Sequence, residues 1–92
     1  MLVLNATSQF RRDYKRMKKQ GKDLSLLEGI IDLLLAEAPL PQKHHDHALS
    51  GKYVGFRECH IQPDWLLMYK LNKDRLILTA FRTGSHADLL NM

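Results

Sequence analysis

Cysteine occurs only once, at Cys59, which removes two classes of protein at the outset. No internal disulfide framework can form, and no four-cysteine zinc module can be assembled. Long apolar runs are missing too, since no stretch approaches the roughly 20 residues of a membrane span. Proline and glycine number only three and five, and the chain carries no internal repeat, linker or low-complexity segment. At the start, "MLVLNATSQF" is followed rather than preceded by the basic cluster "RRDYKR". That order is wrong for a secretory signal, so no membrane partner and a cytoplasmic location are expected.

What remains describes an ordinary soluble globule. The 92 residues suffice for one modest core, so a single domain over residues 1–92 is expected. Apolar residues make up 45% and charged residues 26%, which argues against a disordered chain. Fourteen Lys and Arg against ten Asp and Glu leave a formal charge of +4. On so small a protein that surplus favours a polyanionic or acidic partner, although a merely soluble basic surface would look the same.

Periodicity sets the order of elements. "MLVLNAT" is apolar and short enough for a first strand. Thr7 or Ser8 can cap a helix running to about Lys19, with Phe10, Tyr14 and Met17 as its buried stripe. Gly21 suits the left-handed end of that helix. A second helix is predicted from about Asp23 to Glu37, capped by Asp23 or by the box "SLLE" (Ser25 to Glu28). Its core stripe is Leu24, Leu27, Ile31 and Leu34, widened by Ile30 and Leu35, and Pro39 and Pro41 stop it. Beyond "APLPQKHHDHALSG" the period becomes alternating. Tyr53 to Ile61, Trp65 to Leu71 and Arg75 to Arg82 then read as three strands of an antiparallel meander, turned at "QPD" and "NKD". The predicted fold is α+β, in the order β-α-α-β-β-β, with an antiparallel sheet covered on one face by a helical hairpin.

A covered face implies an open one. Alternation puts Val54, Phe56, Glu58 and His60 on one side of the first meander strand, and Arg57, Cys59 and Ile61 on the other. On the third, Leu76, Leu78, Ala80 and Arg82 form one set, so Arg82 must escape the packed face at the strand's end. "TGSH" then turns the chain and delivers His86, while "HHDH" enters just before the meander. Three imidazoles (His47, His60, His86), the Asp64 carboxylate, the Arg82 guanidinium and the Trp65 indole therefore converge on one rim.

These groups suit one chemistry. Histidines titrating near pKa ~6.5 can hold opposite protonation states and serve as base and acid. An arginine fork matches a phosphate, and an aromatic ring gives a nucleobase something to stack on. Together they describe RNA cleavage without a metal or any other cofactor, the ribose 2′-hydroxyl being the nucleophile. Each residue also has a structural reading: Trp65 as core, Asp64 as a turn residue after Pro63, His60 as a satisfied surface group, Arg82 as a plain surface cation. "HHDH" could hold zinc, but it lacks helical i,i+4 spacing and a cysteine pair to join it.

The stretch "DHALSGKYVGFRECHIQPDWLLMYKL", followed by "FRTGSHADLL", resembles the YafQ branch of the RelE/ParE superfamily of bacterial type II toxins. The resemblance implies a RelE-like, microbial-ribonuclease-type fold and a ribosome-dependent endoribonuclease. Such toxins cut messenger RNA in the ribosomal A site and are held inactive by a cognate antitoxin, DNA being met only through that antitoxin. It implies that His47, His60, Asp64, Arg82 and His86 match the family's catalytic residues and that Trp65 belongs to the same site. Lys52 and Arg57 join Trp65 as expected substrate-binding residues. His44 and His45 match no catalytic position. Leu89 and Leu90 stand where members often carry an aromatic residue, and Tyr53 where a tryptophan is common.

The expected mechanism has His60 or His47, with or without Asp64, taking the 2′-hydroxyl proton while His86 protonates the leaving 5′-oxygen. Arg82 is expected as a rim cation whose loss leaves the fold intact. Two other classes remain: a ParE-like poison of DNA gyrase, which shares the fold, and a catalytically inactive module that only binds its antitoxin. Three histidines and an aspartate on one rim argue against the gyrase poison, which has no use for them.

Overall fold

The structure, a computed structural model, describes residues 1–90, for Leu90 the backbone only. Strand β1 (Val3–Ala6) leads into helices α1 (Ser8–Lys19) and α2 (Leu24–Leu35). A two-residue strand β2 (His47–Ala48) precedes β3 (Arg57–Gln62), β4 (Trp65–Asn72) and β5 (Ile77–Gly84), and a short helix α3 (His86–Leu90) closes the described chain. Single turns of tight helix at Gln42–His44 and Gly51–Tyr53 flank β2. No helix among the described residues is long and apolar enough to cross a membrane.

Local chemistry accounts for the helix ends. Thr7 caps α1, its hydroxyl accepting from the Phe10 N–H at 3.0 Å and donating to the Phe81 carbonyl at 2.9 Å. Asp23, rather than Ser25, caps α2 by accepting from the Ser25 N–H. Between them Gly21, at φ +78°, turns the chain as only a residue without Cβ does cheaply. The Tyr14 hydroxyl donates to Glu28 across the hairpin at 2.8 Å.

The sheet order is β1-β5-β4-β3-β2. The meander is antiparallel as expected, but β1 lies parallel to β5, Val3 opposite Ile77 through Ala6 opposite Ala80. The helical hairpin is the crossover that carries the chain from β1 to β2 and β3 at the opposite edge, β3 running in the same direction as β1. Phe10 and Met17 of α1 and Leu27, Ile30, Ile31 and Leu34 of α2 pack on Cys59, Ile61, Trp65, Leu67, Tyr69, Leu78 and Ala80. Inward and outward residues alternate along β3 as the sequence pattern requires.

Three departures matter for the site. The first meander strand starts at Arg57 rather than Tyr53, because Gly55 at φ +95° bends the preceding segment out of line. The third starts at Ile77 and runs to Gly84, the Asn72 side chain having extended the turn by accepting from the Arg75 N–H. Within it Phe81 is an extra residue: Tyr69 pairs with Ala80, but Met68 pairs with Arg82. That bulge breaks the alternation on which the sequence reading relied. Arg82 therefore stands opposite Met68, on the face away from Leu78 and Ala80.

Candidate active site

The open face is a short grid. Across the sheet, Glu58 pairs with Met68 and Met68 with Arg82, while His60 pairs with Leu66 and Leu66 with Gly84. Beyond Gly84 the chain folds back. Ser85 and Asp88 bond reciprocally at the start of α3, the Asp88 N–H to the Ser85 hydroxyl at 3.1 Å and the Ser85 N–H to the Asp88 carboxylate at 3.0 Å. Leu89 is thereby buried over Leu66 and Met68, lining with Leu49, Tyr53, Glu58 and His86 a cavity of about 140 Å³. Leu89 is thus a packing residue; the Leu90 side chain lies outside the described residues.

Folding back brings His86 to His60, with ring centroids 5.4 Å apart and planes at 73°. His45 approaches the other side of His60 at 5.5 Å. His60 is the middle of a row of three imidazoles. Partial burial first, then the neighbouring His86 and His45 rings, push its pKa below the ordinary histidine value, with Glu58 pulling the other way. His60 is therefore neutral at neutral pH and has a lone pair available.

His86 is held differently. One oxygen of Asp64 accepts both its backbone N–H at 3.0 Å and its Nδ1–H at 2.7 Å. Those two bonds, the backbone one first, hold the Asp64 carboxyl below the usual carboxylate range. Two consequences follow: Asp64 stays ionised and is a poor proton acceptor, and the committed Nδ1–H leaves Nε2 as the working nitrogen of His86. The Pro63-Asp64 corner is thus both a turn and the orienting half of a His–Asp pair.

The remaining histidines form a frame. His44 donates from Nδ1 to the His60 carbonyl at 2.7 Å. His47, on β2 opposite Glu58, donates from Nδ1 to the His45 carbonyl at 2.7 Å and sets Nε2 3.7 Å from the Glu58 carboxylate. A cavity of about 440 Å³ opens beside His60 between Lys43, His44, His45, Gln62 and Pro63. His45 and Glu58 are site neighbours that the sequence reading left without a role. Glu58 carried a legible signal, since it shares the parity of His60; His45 carried none beyond its place in "HHDH".

Three expectations need correction. Trp65 is fully buried, and its indole N–H donates to the Thr83 hydroxyl at 2.9 Å, so it is core and no base can stack on it. Arg57 projects on the helix side of β3, opposite to His60, and donates to Asp46 at 3.1 Å. Asp46 also accepts from the Tyr69 hydroxyl, which fixes that cluster away from the imidazole row. Lys52 sits in the exposed Gly51–Tyr53 turn with its ammonium 5.5 Å over the Tyr53 ring, where its contact with RNA stays a proposal. Arg82 is not a loose rim cation: its Nε and Nη2 donate to the two oxygens of Asp13 at 2.7 and 3.2 Å, and the side chain is only 14% exposed.

Cys59 offers no alternative nucleophile, since burial pushes its thiol up to about 12. A helical hairpin on one face of the sheet, with an imidazole row and a fixed arginine on the other, defines a RelE-like toxin domain. The family model described as "Bacterial toxin of type II toxin-antitoxin system, YafQ" matches residues 2–91, and the chain belongs to that family. The mRNA interferase toxin YafQ of Escherichia coli K12 is 42% identical over 84 residues, covering 90% of this chain and 89% of that protein. The crystal structure of the E. coli DinJ–YafQ complex includes a chain that superposes with a TM-score of 0.88 at 37% identity, covering 97% of this chain and 98% of that one. A metal-bound toxin from Helicobacter pylori superposes with a TM-score of 0.91 at 42% identity, covering 97% and 99%.

Proposed function

We propose that residues 1–92 act as a single toxin domain that cuts messenger RNA in the ribosomal A site and so stops translation. The observation that carries this reading is the His60–His86 pair: one ring neutral, the other oriented through Asp64, 5.4 Å apart on an open face. His60 takes the proton of the ribose 2′-hydroxyl. The 2′-oxygen attacks the adjacent phosphorus, and the bond to the 5′-oxygen breaks as Nε2–H of His86 protonates it. The products are a 2′,3′-cyclic phosphate and a 5′-hydroxyl. Arg82 spends Nε and one Nη2 hydrogen on Asp13, which leaves its remaining N–H groups to offset the charge growing on the phosphate. His47 holds Glu58 and the loop that carries His45, a supporting role rather than that of base.

No step of this scheme runs through a metal. The Helicobacter pylori relative is metal-bound, but among the described residues of this chain no group of three or more His, Cys, Asp or Glu is arranged to hold an ion. The Nδ1 atoms of His44, His47 and His86 are committed as donors within the protein. By analogy with the E. coli complex, the inhibitory partner is a cognate antitoxin. The surplus of four positive charges favours an acidic antitoxin segment over the basic surface, with DNA met only through that partner and the cytoplasm as the site of action. Arg11, Arg12 and Lys15 on α1 are its candidate contacts, the Arg16 guanidinium being turned inward between Asp13 and Asp88.

The test is a ribosome-programmed cleavage assay on His86→Gln and Asp64→Asn. Both should keep the wild-type melting temperature, because both side chains are exposed, and each should slow cleavage by roughly 10²–10⁴-fold. Wild-type rates from either folded variant would remove the assignment.

A further inference from the structure

Helix α1 packs its apolar stripe against the sheet, yet one position on that buried side is ionisable. Asp13 is 0% exposed, between Phe10 and Met17, where burial alone would push a carboxyl upward and keep it neutral. It is instead held below its ordinary value, because bonds from Arg82, Gln9 and the Thr83 N–H, with the Arg82 charge, outweigh that burial. The carboxylate accepts from Arg82 Nε at 2.7 Å, Arg82 Nη2 at 3.2 Å, the Thr83 N–H at 3.2 Å and Gln9 Nε2 at 3.0 Å. It also lies 3.2 Å from Nη2 of Arg16.

The location explains the demand. β1 pairs with β5 only as far as Ala80, so the edge of β5 beyond the bulge lacks a strand partner, and Asp13 meets it at the Thr83 N–H while gripping the neighbouring Arg82 side chain. Arg16 carries the connection onward by charge alone, its Nη2 also lying 3.5 Å from Asp88 of α3 without a hydrogen bond to either carboxylate. Asp88 in turn accepts from the Ser85 N–H, one residue before His86. Gly84 has no room for a side chain there: a Cβ would come 2.8 Å from Asp88 Oδ2 and 3.2 Å from Arg16 Nη2. The two groups assigned to the phosphate and the leaving oxygen, Arg82 and His86, thus both trace back to one buried carboxylate on α1.

We propose that Asp13 is a positioning residue for cleavage. It grips one edge of the Arg82 guanidinium so that the other edge meets the scissile phosphate already oriented, and through Arg16 and Asp88 it fixes the start of the helix that carries His86. The proposal rests on the function assigned above. A residue needed only for packing would be served as well by an apolar side chain, since a buried ion pair gives little net stability over one of similar volume. A fixed fork is what preorganised charge stabilisation requires.

The test is a double-mutant cycle in ribosome-programmed mRNA cleavage, with Asp13→Asn, Arg82→Gln and the two combined, all assayed at a temperature where circular dichroism finds each folded. Arg82→Gln retains a donor for the carboxylate, which limits unfolding. Asp13→Asn should lower kcat by roughly 100-fold with KM little changed, the usual scale for a displaced catalytic group. In the Arg82→Gln background the same substitution should cost only a few-fold, because no guanidinium is left to orient. An equal loss in both backgrounds, or a folded Asp13→Asn with wild-type kcat, overturns the proposal. If Asp13→Asn does not fold, Arg16→Gln tests the second arm without uncovering the carboxylate's bonds to Arg82. It should lower kcat about tenfold, and wild-type turnover from it overturns that arm. Failure of the parent reading looks different: wild-type protein itself would leave messenger RNA on the ribosome intact.

Discussion

Replacing Trp65 separates a packing role from an RNA-stacking one. The indole is 0% exposed on the helix side of β4, and its N–H donates to the Thr83 hydroxyl, which itself donates to the Leu66 carbonyl at 2.7 Å. Trp65→Phe removes one hydrogen bond, worth about 1 kcal/mol net, and leaves a void worth about as much again. For a domain of this size each kcal/mol lowers Tm by roughly 4–8 °C, so Trp65→Phe should melt about 8–16 °C lower. Trp65→Ala, at roughly 3–5 kcal/mol, should leave little folded protein at all. Below its transition, Trp65→Phe should cut messenger RNA with kcat and KM within about threefold of wild type, because no part of the ring reaches the open face. The measurements are thermal melting by circular dichroism and steady-state cleavage on programmed ribosomes. A Trp65→Phe variant that melts like wild type but raises KM tenfold or more would refute the reasoning and return Trp65 to the substrate.

The other predictions concern Arg82, Asp13 and His60. Arg82→Ala should cost about 3–5 kcal/mol, because it strands a buried carboxylate, and Arg82→Ala/Asp13→Asn should regain much of that in a denaturant melt. A single-variant loss below about 1 kcal/mol would contradict the buried pair. The folded-state pKa of Asp13 is depressed, so its stabilisation is full well above pH ~3.9 and fades as pH falls through that range; the acid limb of wild-type stability should flatten in Asp13→Asn. The pKa of His60 is also depressed, and as a base it works deprotonated, so the acid limb of kcat/KM should fall below the ordinary histidine value of ~6.5. An acid limb centred above pH ~7 would show that His60 is not the base.

Helical and strand periods made most of the fold readable: the Phe10, Tyr14, Met17 stripe, the Leu27, Ile31, Leu34 stripe and the alternation through Cys59 and Ile61 each carry their own burial. The parallel placement of β1 was not readable, since a four-residue strand contains nothing that sets direction. The bulge at Phe81 was hidden for a related reason: one extra residue changes no composition, yet it reverses the face of Arg82. His60, Asp64 and His86 could be brought together because a proline corner and a glycine turn fix where strands end. Arg57 shares the parity of Cys59 and Ile61, and Trp65 that of Leu67 and Tyr69, so alternation already set both apart from His60 and argued against a substrate role. Asp13 went unnoticed because a charge within an apolar stripe is visible in sequence, but its partners are 69 and 70 residues away.

The most direct test is a map of the cut ends. Wild-type protein, treated with chelator and desalted, would be added to ribosomes stalled with a defined codon of messenger RNA in the A site. Both RNA termini would then be analysed by mass spectrometry. Cleavage within the A-site codon, leaving a 2′,3′-cyclic or 3′-phosphate and a 5′-hydroxyl at the rate of untreated toxin, is the predicted result. Intact messenger RNA, a 5′-phosphate at the cut, or activity that returns only when metal is added would contradict the account.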